Sequence, residues 1–388
     1  MSARPIYLDC HATTPVDKRV LEVMIPYFTE HFGNPASVNH LYGWETEAAV
    51  KQARQIIADA INATPTEIIF TSGATEANNL AIKGVAEAYF SQGRHLITVA
   101  TEHHAVLDPY DYLQGLGFDV TLLSVQPDGL IDLTELEEAF RPDTILVSVM
   151  AANNEIGVLQ PLAKIGKMCH DRHILFHTDA AQALGKIPLD VEEMKIDLMS
   201  LTAHKVYGPK GIGCLYVRRR QPRVKIAPQI HGGGQERGIR SGTLYTPQIV
   251  GFGAAVKLAL SEMASEAQRL TKLRDRLWNQ LSTLDDIRLN GHPTQRLPGN
   301  LNVSIAGVDG QALLLALQPT MAVSSGSACT STRIEPSHVL KALGVPENLA
   351  YASLRFGLSR FNTEAEIDQV AQEAIATIKV LRRVQYTR

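Results

Sequence analysis

Four short stretches carry residue types that could do chemistry. In Val323 to Thr332, VSSGSACTST, a lone thiol, Cys329, sits among Ser, Gly, Ala and Thr. A packed cysteine keeps apolar company, so this composition reads instead as a solvated loop, a better place for a reactive group than for core packing. The stretch SLTAHKVYGP places His204 and Lys205 just past an apolar run and before a Gly-rich turn. A lysine there is either a snorkelling surface residue or an amine of depressed pKa. FHTDAAQ puts Asp179 and Gln182 at the end of another apolar run, where a carboxylate is costly to bury unless it meets a cation. TSGATE, Thr71 to Glu76, offers small residues at a turn whose backbone N–H groups could face an anion. Each alone also has an ordinary reading, as a capped turn, an incidental acid or a surface lysine.

The elements that must position these residues come from the hydrophobic pattern. Between about 60 and 255, short β-branched runs (Glu67–Phe70, His95–Val99, Thr144–Val149, Ile174–His177 and Asp197–Leu201) alternate with helical stretches such as Thr75–Ala88. That alternation predicts an α/β fold with a mostly parallel sheet, whose ligands bind beyond the carboxyl ends of the strands. All three polar stretches of this region fall at such ends. An anion cradle, a carboxylate and an amine together are what pyridoxal phosphate requires: the lysine forms an imine with its aldehyde and the aspartate pairs with its ring nitrogen. No GxxxxGK[ST] or GxGxxG loop occurs to favour a nucleotide.

Past residue 255 the texture changes. Met263, Ala267, Leu270, Leu273, Leu277, Leu281 and Leu284 recur at helical spacing. Leu301, Val303 and Ile305 alternate as a strand, Gln311–Leu317 reads as a helix, and the Cys329 loop follows. Leu354, Phe356 and Leu358 alternate again, which turns Arg355 to the opposite face. Thr363 and Glu366 stand in capping-box spacing at the last helix. The reading is a large domain over 15–255 and a smaller α+β domain from 1–14 and 256–388, with a mobile cysteine loop at about 323–333.

Composition narrows the class. The 388 residues are 45% hydrophobic and 20% charged, with a net charge of −3, ordinary for a soluble globular protein and no support for a nucleic-acid surface. The N-terminus lacks the apolar stretch of a secretory leader, and no run is long enough to span a membrane. Four cysteines, with no CxxC pair, predict free thiols in a reduced, cytoplasmic setting and no structural metal site.

The ordered motifs Asp9 with Ala12-Thr13-Thr14-Pro15, Gly33-Asn34-Pro35, Thr71–Glu76, Glu102-His103, Asn153–Gly157, Asp179 with Gln182, His204-Lys205, His231–Gly234, Arg240–Thr243, Ser324–Thr330 and Arg355-Phe356 run along nearly the whole chain. In these the chain resembles the cysteine desulfurases of the NifS/IscS type, pyridoxal-phosphate enzymes of fold type I, with an aspartate-aminotransferase-like seven-stranded sheet. The resemblance implies that Lys205 carries the cofactor, Asp179 pairs with its ring nitrogen, and Gln182 donates to its phenolate oxygen. It also implies that His103 stacks on the ring and moves protons. Ala74, Thr75, Thr202, His204 and Thr243 of the partner subunit would hold the phosphate, and Asn154 would orient the cofactor. Asn34, Asn154 and Arg355 would bind the substrate, L-cysteine, while Cys329 takes up its sulfur and serves at most as a transient iron–sulfur ligand.

A homodimer that passes sulfur to acceptor or scaffold proteins, for iron–sulfur clusters or other products, is the implied assembly. Thr202 stands where the family often has serine, and Cys10-His11 fills two variable positions, so a second thiol is expected near the site or buried incidentally. Alternatives are a selenocysteine lyase, another lyase or aminotransferase on the same cofactor, or, remotely, a non-enzymatic nucleotide-binding protein using the Gly208–Gly213 turn.

Overall fold

The computed structural model describes residues 4–325 and 336–386. The chain enters through a two-residue strand, β1 (Ile6–Tyr7), and then builds its main sheet. Seven strands follow: β2 (Ile68–Thr71), β3 (His95–Val99), β4 (Asp119–Leu123), β5 (Thr144–Ser148), β6 (Leu175–Asp179), β7 (Leu198–Thr202) and β8 (Gly213–Val217). Their order is β2-β8-β7-β6-β5-β3-β4. Only β8 runs antiparallel to its neighbours. The mostly parallel sheet expected from the alternation is therefore present, with one reversed strand.

Strands β3, β5, β6 and β7 are buried along their whole length, which is why they read as continuous rather than alternating runs. One apolar cluster, with Phe70, Val147, Phe176 and Leu201, packs on one face; another, with Leu80, Val85, Leu146 and Leu215, packs on the other. Several polar side chains in the sheet are paired, whereas Thr178 Oγ1 and Tyr216 Oη are buried without a partner among the described residues. His177 lies 3.0 Å from both Ser148 Oγ and Ser200 Oγ on the flanking strands, and burial lowers its pKa to about 3.

Beyond the main sheet come β9 (Ile287–Leu289), β10 (Asn300–Ile305), β11 (Met321–Ala322) and β12 (Ser353–Gly357). Strands β12, β10 and β9 form an antiparallel sheet, and β11 pairs in parallel with β1. A separate core, containing Leu8, Leu301, Leu354, Phe356 and Ile367, holds this part together. One helix, Thr246–Leu281, serves both cores: Ile249, Phe252 and Val256 enter the first, and Leu270, Leu273, Leu277 and Leu281 enter the second.

That helix starts well before the leucine stripe that announces it, and residue 255 lies inside it. The early part is masked in the sequence by Gly251 and Gly253, poor helix formers. Packing explains Gly253, where a Cβ would stand 2.9 Å from Ala53 Cα of the helix Leu41–Asp59. The capping box at the last helix forms as expected, with Thr363 N donating to Glu366 Oε2 at 2.8 Å and Glu366 N to Thr363 Oγ1 at 3.2 Å.

Candidate functional site

Five strands of one direction feed one cavity of about 640 Å³ from their carboxyl ends. Strand β2 leads to Ser72–Glu76, β3 to His103, β5 to Met150 and Asn154, β6 to Asp179, and β7 to Thr202, His204 and Lys205. His11, Ala12, Thr13 and Arg355, from the other part of the chain, close the remaining wall. The convergence follows from parallel pairing, which brings every strand-end loop to the same edge.

The β2 turn leaves a bare helix start. Gly73, at φ 154°, is the N-cap of the helix Ala74–Ala88 and supplies no side-chain cap, so the first N–H groups stay available to an anion. Its neighbour on β8 must also be glycine: a Cβ on Gly213 would lie 2.7 Å from Gly73 Cα and 2.4 Å from Leu201 O. Glu76, whose carboxylate would repel an anion at that place, is engaged by Arg240, with Nε to Oε1 at 2.7 Å and Nη2 to Oε2 at 3.1 Å.

Asp179 is held from behind. Asn78 Nδ2 donates to its Oδ2 at 2.7 Å, and Ala181 N donates to Oδ1 at 2.9 Å. Lys205 Nζ donates to Ala12 O at 2.7 Å and to His11 O. Ala105 N donates to His103 Nδ1 at 3.0 Å, because His103 is the N-cap of the helix His104–Gly115. With Nδ1 accepting, the neutral ring carries its proton on Nε2. Burial lowers the His103 pKa, and Asp179 opposes that effect. His204 contacts Thr13 Oγ1 at 3.1 Å, and burial followed by the Lys205 charge lowers its pKa to about 4. Both rings are thus neutral at pH 7.

Arg355 is only 3% exposed. Strand alternation turns it away from the apolar core, as expected, but toward the cavity wall rather than solvent. Its Nη2 donates to Asp9 Oδ1 at 2.8 Å and Nη1 to Asn154 O at 3.1 Å, while Nε is buried without a hydrogen-bond partner among the described residues. Asn154 Oδ1 is likewise buried and unpartnered among them. Two unmet polar atoms beside an amine, a carboxylate and a bare helix start suit an anionic, polar ligand. This donor set fits pyridoxal phosphate.

Of the expected site residues, Ala74, Thr75, His103, Asn154, Asp179, Gln182, Thr202, His204, Lys205 and Arg355 line the cavity. Asn34 and Thr243 do not; both are exposed, and Asn34 Oδ1 accepts from Ala36 N at 2.9 Å. Cys329 and its loop from 326 to 333 lie outside the described residues. Cys10 is buried, lines a smaller space instead, and has its thiol pKa pushed up to about 11 by burial. Asn78 and the His11 lining position escaped the sequence reading. Asn78 has only its four-residue offset from Ala74 to announce it, and His11 reaches the cavity through a long-range fold contact. Among the described residues no cluster suited to a metal is found, and no helix is long and apolar enough to cross a membrane.

Residues 6–370 match the aminotransferase class-V family. A cysteine desulfurase IscS of Neisseria meningitidis is 57% identical over 380 residues, 98% of this chain and 94% of that protein. A solved NifS-like protein superimposes with a TM-score of 0.91 at 39% identity, covering 97% of this chain and 100% of the other. The structure of SspA in complex with cysteine gives a TM-score of 0.82 at 41% identity, over 92% of this chain and 100% of that one. On this likeness along almost its full length, the chain belongs to the aminotransferase class-V family, in its pyridoxal-phosphate-dependent cysteine desulfurase branch of the NifS/IscS type.

Proposed function

We propose that the sulfur of L-cysteine passes to Cys329, giving L-alanine and a Cys329 persulfide. The carbon–sulfur bond of the substrate breaks, a sulfur–sulfur bond forms at Cys329, and the substrate's Cβ gains a proton. The observation that carries this reading is the convergence of Lys205, Asp179, His103, Arg355 and a bare helix N-terminus on one cavity. Lys205, Asp179, Gln182, His103, Asn154, Thr202, His204, Ala74 and Thr75 would hold pyridoxal phosphate, joined by Thr243 of the partner subunit. When bound, that group supplies an electron sink for the charge left at the substrate's Cα.

The chain's own groups do the rest. Lys205 Nζ takes the Cα proton. Arg355, held by Asp9 and the Asn154 carbonyl, offers a planar fork to the substrate carboxylate, with Asn34 as a further contact. His103 presents Nε2–H as a hydrogen-bond donor to the substrate's sulfur. The Cys329 thiolate is the nucleophile, since the thiolate rather than the thiol attacks.

A homodimer and cytoplasmic sulfur delivery to acceptor or scaffold proteins belong to the same proposal. A run of exposed apolar side chains, Ile25, Phe28, Phe32, Leu41, Tyr42 and Trp44, supports the dimer. The division of the chain into 15–255 against 1–14 with 256–388 is proposed with it, supported by the two cores that the helix Thr246–Leu281 joins.

The test is sulfur bookkeeping. Wild-type enzyme given L-cysteine and a reductant should release alanine and sulfide in equal amounts. Cys329→Ser should keep the visible absorption of the bound cofactor and release no sulfide. Brief exposure to L-cysteine, alkylation and peptide mass analysis should place one added sulfur on Cys329. Recovery of that sulfur on Cys10, Cys169 or Cys214 would overturn the assignment.

A further inference from the structure

Lys186 lies outside the cavity lining but touches a residue within it. After β6 the backbone runs through successive turns, with Leu184 N bonded to Ala180 O and Lys186 N to Ala183 O, so residues four apart share a side. Lys186 Nζ donates to Gln182 Oε1 at 3.1 Å. His11 Nδ1 is 3.2 Å from the same oxygen, and Gln182 Nε2 donates to His11 O at 2.8 Å.

The two ends of an amide have nearly the same shape, so the chemistry of the neighbours decides which end points where. An ammonium can only donate and a carbonyl can only accept. Lys186 and the His11 carbonyl therefore choose the same orientation, and the imidazole adjusts by carrying its proton on Nδ1. With its oxygen committed to Lys186 and His11, Gln182 has one N–H left to offer the cavity it lines.

Cys10, His11, Tyr207 and Glu266 are the other titratable groups that line, with Lys186, a small space of about 30 Å³. Burial lowers the Lys186 pKa to about 8, with Cys10 and Glu266 opposing, so the ammonium persists at neutral pH. An ammonium there costs more than an apolar chain of equal length.

We propose that Lys186 is a positioning residue for the cofactor: it locks the Gln182 amide with an N–H toward the cavity. This rests on the reading that Gln182 donates to the ring oxygen of pyridoxal phosphate.

The test is the pH midpoint of the holoenzyme's visible absorption band, which reports protonation of the lysine-linked cofactor. A donor on the ring oxygen and a cation behind it both favour the less protonated form. Lys186→Met should therefore raise the midpoint by about one pH unit, and Lys186→Arg should restore it. Gln182→Ala should raise it as well, and Lys186→Met added to that variant should shift it little further. Thermal melting establishes that each variant is folded. An unmoved midpoint in Lys186→Met beside a shifted one in Gln182→Ala would overturn the proposal. So would a full Lys186→Met shift in the Gln182→Ala background, which would mean that the charge acts without the amide. An unmoved midpoint in Gln182→Ala would instead remove the Gln182 contact itself, and the proposal with it.

Discussion

His103 shows how a backbone bond constrains side-chain chemistry. As an N-cap it accepts from Ala105 N, so protonating Nδ1 would break that bond in a place where burial already disfavours the charge. The ring stays neutral through the physiological range, and its charged form appears only as pH falls through a pKa below the usual 6.5. The acid limb of kcat/KM for L-cysteine should accordingly lie below pH 6.5. His103→Gln should remove that limb and lower kcat/KM by about 10²-fold or more. A pH–rate profile from 5 to 9 checks both, and a limb that survives the substitution would assign it to another group.

At the scale of elements, the cofactor cradle depends on how closely β8 approaches the turn after β2. Gly213 pairs with Thr71 on one side and Thr202 on the other, and its missing side chain makes room for Gly73. Adding one methyl there collides with backbone on two sides, and overpacking of that kind costs about 1–3 kcal/mol. Gly213→Ala should weaken pyridoxal phosphate binding by about tenfold or more, measured by titrating the cofactor-free enzyme. Gly115→Ala, where a Cβ meets nothing within 4 Å, is the control and should leave binding unchanged. Equal affinities in the two variants would show that the β8 approach does not shape the cradle.

Across the whole molecule, ion pairs tie the two parts together. Arg360 bonds Asp17 Oδ2 at 3.2 Å, Glu262 Oε2 at 3.1 Å and Glu266 Oε2 at 2.8 Å, linking the strand end after β12 to the long helix and to the N-cap of the helix Lys18–Met24. Outward, the face carrying Phe32, 64% exposed, and Tyr42 stays uncovered in a single chain, their rings 5.4 Å apart. Thr243 is likewise exposed and does not line its own chain's cavity. Sedimentation should return the mass of two chains. Phe32→Glu with Tyr42→Glu should halve that mass and, under the proposed contact between Thr243 of the partner subunit and the phosphate, also weaken cofactor binding. A variant that sediments as one chain yet binds the cofactor with undiminished affinity would rule out a contribution from the partner.

Much of this was legible along the chain because the chemistry-bearing residues sit at the ends of continuous apolar runs. Asp179, Lys205 and the TSGATE turn could be placed at one sheet edge from local pattern alone, since parallel strands connected by helices bring their carboxyl ends together. The leucine stripe of the long helix, the capping box at Thr363 and the turn of Arg355 away from the apolar core followed from period and spacing, while the binding role of Arg355 came from the resemblance. Other features depend on contacts across long stretches of sequence. Position 253 has room only for glycine because it abuts Ala53, and Gly213 is required because of Gly73. His11 reaches the cavity 171 residues from Gln182, and Asn78 braces Asp179 across 101 residues. Period and propensity describe a residue's neighbours within a turn or a strand pair. Which side chains meet across the fold is decided by packing, and so the partners behind Asp179 and Gln182 came into view only with the folded chain.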